Sequence, residues 1–146
     1  MRRYLVVANQ TLAGHHLLKY VRERLAAGPC WFFVLVPATP IQTQFVPGEG
    51  DAEVLARRRL EGALARFRAE GASTVGAVGD PSPLRAITDA LRQESFDEIV
   101  LSTLPPGTSR WLVEDLPSRL ARATGLPVTH LVAEDQLSPE ATAIRA

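Results

Sequence analysis

Short apolar runs alternate with segments of helical periodicity along most of this chain, and few architectures accommodate that alternation. The runs are Tyr4–Ala8, Cys30–Val36, Ser73–Val78, Ile99–Leu101 and Val128–Val132. Cys30–Val36 is apolar at every position, as a central strand covered on both faces should be. Between the runs, Leu17, Leu18, Val21 and Leu25 recur at helical intervals within Gly14–Ala27. Leu60, Ala63, Leu64 and Phe67 line one face of Ala52–Ala69, Leu84, Ile87 and Leu91 one face of the next helix, and Leu112, Leu116 and Leu120 fall four apart. Pro117 lies inside that last pattern and predicts a kink or a split into two short helices. The alternation predicts one α/β domain over residues 1–133: a Rossmann-like sandwich on a five-stranded parallel sheet, with right-handed crossovers and helices on both faces. Residues 134–146 carry no pattern and read as a disordered tail.

Composition narrows the function classes. The 146 residues are 46% hydrophobic and 22% charged, with sixteen basic side chains against sixteen acidic ones. A balanced chain of this kind argues against a nucleic-acid binder or a protein drawn to anionic membranes. The cluster Arg57-Arg58-Arg59 sits in a helical pattern and reads as a solvated helix face. Cys30 is the single cysteine; it excludes an intrachain disulfide and reads as an inert core residue. The apolar runs fall far short of the ~20 residues of a membrane helix, and the stretch after Met1-Arg2-Arg3 is too short for an export signal. A cytoplasmic location is expected.

Polar residues gather where strands should end, which is where open α/β sheets take small ligands. Asn9 and Thr11 follow the first run. Gly79-Asp80-Pro81 follows the third and predicts a helix started by that proline, with Asp80 as its cap or as a general base at the mouth of a site. Ser102 and Thr103 follow the fourth. Pro37–Asp51, with three prolines and two glycines, reads as a long connection, either a flap over the strand ends or a surface loop.

Gly79-Asp80-Pro81 before a helix with Ile87, then Asp97-Glu98-Ile99-Val100, then Leu126-Pro127-Val128, resemble the corresponding stretches of universal stress proteins, and the resemblance runs from Tyr4 to Val132. It implies a sheet order of 3-2-1-4-5, a homodimer joined along the fifth strand, and a stress-linked role in sensing a ligand rather than metabolic catalysis. In the ATP-binding branch of that family the first strand ends in Asp, where this chain has Asn9. The glycines of the phosphate loop match Ser102, Pro105, and Glu114 or Asp115. Phosphate cradles point backbone N–H groups at the anion, and Pro105 and Pro106 have none. The resemblance therefore implies a small-ligand binder without the usual ATP grip and with no cofactor. The alternative is an altered nucleotide cradle over residues 102–110.

That loop holds Ser102, Thr103, Gly107, Thr108, Ser109 and Arg110. Arg110 could grip a phosphate or carboxylate at two points. Equally, Thr108 or Ser109 could cap the next helix while Arg110 pairs with Glu114. Trp111 reads as a packing or dimer-contact residue. Among the histidines, His15 and His16 diverge on a helix and cannot readily share a metal, and His130 suits an interface or a half-buried strand position. No metal site, catalytic constellation or glycine-flanked serine elbow emerges.

Overall fold

The computed structural model describes residues 1–40 and 49–133. The elements run β1 (Arg2–Val7), α1 (His15–Ala27), β2 (Cys30–Pro37), α2 (Glu49–Ala69), β3 (Ser73–Gly79), α3 (Pro83–Gln93), β4 (Glu98–Thr103), α4 (Arg110–Val113), α5 (Leu116–Thr124) and β5 (Val128–Val132). All strand pairs are parallel, and the sheet order is β3-β2-β1-β4-β5. The α/β class, the five-stranded parallel sheet and its order are those expected from the sequence and its resemblance.

Successive side chains of a strand point to opposite faces, and β1 shows what each face is for. Tyr4, Val6 and Ala8 join Leu17 and Val21 of α1 and Ala56, Leu60, Ala63 and Phe67 of α2 in one core. Leu5 and Val7 join Ala86 and Ile87 of α3, Phe96, and Leu116 and Leu120 of α5 in a second core. Helices on both faces leave the central strands β1 and β2 little solvated side for a polar residue, which explains their unbroken apolar runs. Cys30 is buried in the first core, and burial pushes its thiol pKa up, as suits an inert packing residue.

The structure corrects several local expectations. The long connection is shorter than its composition suggested, because β2 continues through Pro37 and α2 already begins at Glu49. The choice between flap and surface loop falls on residues 41–48, outside the described residues. The tail at 134–146 lies outside them too. Helix α3 begins at Pro83 rather than Pro81, and its cap is Ser82, whose hydroxyl accepts from Arg85 N–H at 3.4 Å. Serine before proline is the stronger start signal, since proline fits the first helical position and serine supplies the missing acceptor. Asp80 instead accepts from Ser82 N–H at 2.8 Å, shaping the turn before the cap.

Pro117 does split the last helical pattern. Helices α4 and α5 are separated by Glu114 and by Asp115, which adopts a left-handed conformation with φ 56. Among the described residues β5 has a neighbour on one side only, β4, and is fastened there through Thr129, which donates to Glu98. The Glu98 carboxylate also accepts from Tyr20 at 2.7 Å and pairs with Arg2 at 3.2 Å.

Phe67 is 1% exposed and meets Phe32 edge-on with ring centroids 6.2 Å apart, so it fixes α2 to the sheet. Phe67→Ala should cost about 3–5 kcal/mol. Urea unfolding should show this as a lower midpoint at unchanged slope.

Candidate functional site

The chain leaves β1 toward β2 on one side, and returns from β3 to β4 on the other. In an open sheet, the carboxyl ends of strands at such a reversal form a crevice. Here that crevice is a cleft of about 60 Å³. Asn9, Thr11, Ser102, Thr103, Thr108, Ser109 and Arg110 line it, together with Gln10, Thr39, Pro40, Leu104 and Trp111. Two further candidates are elsewhere: Gly79 and Asp80 border a separate groove of about 610 Å³ between β3, α3 and the start of α2. Gly79 has a packing reason to be glycine, because a Cβ there would sit 2.9 Å from the Ala86 Cβ of α3. Gly107 lines neither space and turns its loop at φ 89.

Asn9 is 6% exposed and doubly bonded. Its Nδ2 donates to the Pro37 carbonyl at 2.8 Å, and its Oδ1 accepts from Arg59 Nη1 at 2.6 Å. The expectation of a solvated arginine face therefore holds for Arg57 and Arg58, which are exposed, and fails for Arg59. Arg59 turns inward along α2 to reach the end of β1. Desolvation there pulls its guanidinium pKa down, since burial penalises the charged form. One helical stretch further on, Arg66 donates to the Leu12 carbonyl at 3.1 Å, so α2 holds the β1–α1 loop at two points.

Ser102 is 1% exposed. Its hydroxyl lies 2.6 Å from Thr11 Oγ1 and 2.7 Å from His16 Nε2, and Thr11 Oγ1 also lies 3.3 Å from the Ser102 carbonyl. One proton order satisfies all three contacts: His16 Nε2–H donates to Ser102, Ser102 to Thr11, and Thr11 to the carbonyl. That order uses the serine proton within the protein. His16 was not anticipated as part of the site. The available signal was its place at the start of the helix after Asn9-Gln10-Thr11, which puts it at the ligand end of the sheet. Gly14 makes room for it, because a Cβ there would lie 2.4 Å from His16 Cε1. On the other flank, Thr103 Oγ1 donates to the Leu104 carbonyl at 2.9 Å and lies 2.8 Å from His130 Nε2. Partial desolvation lowers the His130 pKa.

The loop after β4 folds back on itself. Thr108 N–H and Ser109 N–H both donate to the Pro105 carbonyl, at 3.0 and 3.1 Å. Pro105 and Pro106 have no N–H to offer. Ser109 caps α4 by accepting from Leu112 N–H at 3.3 Å, as one sequence reading had it. The companion expectation, an Arg110–Glu114 pair, fails: Glu114 N–H makes the helical bond to the Arg110 carbonyl at 3.3 Å, but its carboxylate meets Arg119 at 3.8 Å instead. Arg110 is exposed and has no carboxylate partner among the described residues. Trp111 packs against the second core and also borders the cleft. Among the described residues no group of three His, Cys, Asp or Glu could hold a metal, and no helix is long and apolar enough to cross a membrane.

No protein-family model matches the sequence, and no curated protein matches it significantly. Solved structures do resemble the fold. A universal stress protein family protein from Arabidopsis thaliana with AMP bound superposes with a TM-score of 0.65 at 11% identity, over 98% of this chain and 99% of that one. The universal stress protein from Archaeoglobus fulgidus in complex with dAMP gives 0.59 at 14% identity, over 89% and 97%. A universal stress protein in complex with cAMP gives 0.58 at 17% identity, over 91% and 98%. With the sheet order and the two helical layers, these likenesses show that the chain has the universal stress protein fold.

Ser102 joins β4 to the β1–α1 loop through His16 and Thr11. Ser102→Ala should cost about 1–3 kcal/mol, the usual penalty for stranding buried hydrogen-bonding groups. Chemical denaturation of the two proteins checks it.

Proposed function

We propose that this protein is a diverged universal stress protein that acts by binding a small ligand in the β1–β4 cleft, not by catalysis and without the usual ATP grip. The observation that carries this reading is the loop after β4. Its Thr108 and Ser109 N–H groups are committed to the Pro105 carbonyl, while a triphosphate cradle needs such donors free. A binding role is supported by Ser102, whose hydroxyl is buried and committed to its neighbours. The single cysteine suits a reducing, cytoplasmic setting. Titration calorimetry with ATP and Mg²⁺ should show no micromolar binding; a micromolar dissociation constant overturns the exclusion of ATP.

A second reading keeps a nucleotide, gripped by side chains instead of backbone. It is favoured by the AMP, dAMP and cAMP complexes among the structural neighbours and by Arg110 at the cleft. On this reading Arg110→Ala should weaken AMP binding about tenfold, the worth of one charge-assisted contact. Calorimetry with AMP decides, and an unchanged affinity removes the reading.

Dimerisation through β5 belongs to the same proposal. Among the described residues β5 is an open sheet edge carrying Val128, Leu131 and Val132, and natural proteins seldom leave such an edge unpaired. Pairing with a second copy across a two-fold axis closes it. Light scattering should report twice the monomer mass, and a monomeric mass at working concentration contradicts it.

A further inference from the structure

We propose that the groove of about 610 Å³ between β3, α3 and the start of α2 is a ligand site in its own right, and that its occupant is an amphipathic organic cation, an apolar body carrying a protonated amine. The inference stands apart from the β1–β4 cleft, with which the groove shares only Pro40.

The groove follows from how α3 sits on the sheet. It meets β3 through small residues: a Cβ on Gly79 would lie 2.9 Å from the Ala86 Cβ. Ala77 of β3 and Ala90 of α3 also line the space between the two elements, and neither is large enough to fill it. Phe33 and Leu35 of β2 complete the apolar lining, and Phe33 is steadied edge-on by Phe96, with ring centroids 5.9 Å apart. Among the described residues no strand lies beyond β3, and Val75, in register with Phe33, is 44% exposed. Small-ligand sites enclose ~300–1,000 Å³ lined mainly by apolar side chains with a few polar groups, and this groove fits on both counts.

The polar groups decide the charge of the guest. Glu53 of α2, Asp80 of the turn after β3 and Asp89 of α3 all line the groove, and no Lys, Arg or His does. The chain as a whole sets sixteen acids against sixteen bases, so the surplus is local. Glu53 has no ion pair among the described residues; Arg57 and Arg58 border a different hollow, which it shares. Asp80 accepts from Ser82 N–H at 2.8 Å, a bond that keeps its charge. Asp89 pairs with Arg92 at 3.2 Å, but both are largely exposed, and such pairs hold weakly. An ammonium on an apolar body therefore meets three carboxylates and no competing cation in the lining. A carboxylate or phosphate is repelled by all three, and a neutral guest gains the apolar contact alone.

The test uses the full chain and three probes that share an apolar body and differ in charge: phenylbutylamine, phenylbutanol and phenylbutyrate. Binding is followed residue by residue through amide NMR shifts. The amine should move the amides of Phe33, Ala77 and Ala90 and bind about five- to tenfold more tightly than the alcohol, with the acid weakest. Added salt should bring the amine toward the alcohol's affinity, since exposed charges are screened. Glu53→Gln and Asp89→Asn should each lower the amine's affinity about two- to fivefold and leave the alcohol's unchanged. Both residues are exposed, and circular dichroism checks that the variants keep the fold.

An amine that fails to bind, equal affinities for all three probes, or shifts confined to the β1–β4 cleft overturn the proposal. Movement of the same amides on concentrating the protein alone assigns the groove to a second copy. A leucine–lysine helical peptide that binds there where the amine does not assigns it to a protein partner. Either of those results also overturns the small cation as occupant.

Discussion

Every other element takes its position from β1. It has hydrogen-bonded strands on both sides and a separate apolar core on each face, so its residues Leu5 to Val7, and Ala8 just beyond it, are fully buried. A strand in that position has no freedom to slip, because a shift of one residue would exchange the two faces. Its fixed register determines where Asn9 and Thr11 emerge. The parallel pairing with β4, Val7 opposite Leu101, then brings Ser102 level with them. The cleft is therefore a consequence of the sheet order, independent of what occupies it.

On that frame the donors divide by kind. The Thr108 and Ser109 N–H groups beyond β4 turn inward to Pro105, while the described side chains that line the cleft carry hydroxyls, two amides and a guanidinium. A backbone cradle holds several oxygens at fixed spacing and suits a polyphosphate chain. Dispersed side-chain donors suit a smaller group approached from several directions. Asn9 is committed on both of its polar ends, and a residue held from behind by Arg59 and Pro37 keeps one orientation.

Much of this was legible in the sequence, for physical reasons. Uninterrupted apolar runs have one good explanation, burial on two faces, and β5 occupies the expected residues Val128 to Val132. Pro117 divided its helix as its missing N–H requires. Seven of the ten candidate positions fall in one cleft because strand ends are a property of topology, and topology was readable; Gly79 and Asp80 lie apart because β2 and β1 stand between β3 and β4. What could not be read was side-chain reach. Arg59 is one of three consecutive arginines, and only the rotation of α2 decides which of them points inward. His16 finds Ser102 across 86 positions of sequence. The Arg110–Glu114 pair was a sound helical inference, but the Glu114 carboxylate pairs with Arg119 of the next helix instead.

Asp115 carries a consequence for how the site behaves in time. A residue other than glycine held left-handed is strained by about 1 kcal/mol or more, and here it terminates a helix of a single turn that forms one wall of the cleft. One turn adds little stability of its own, so that wall is held chiefly by the packing of Trp111 and Leu116 on the core beneath. Segments secured in this way open at a fraction of the free energy needed to unfold the whole domain. That wall can therefore loosen while the sheet stays intact, leaving the scaffold undisturbed.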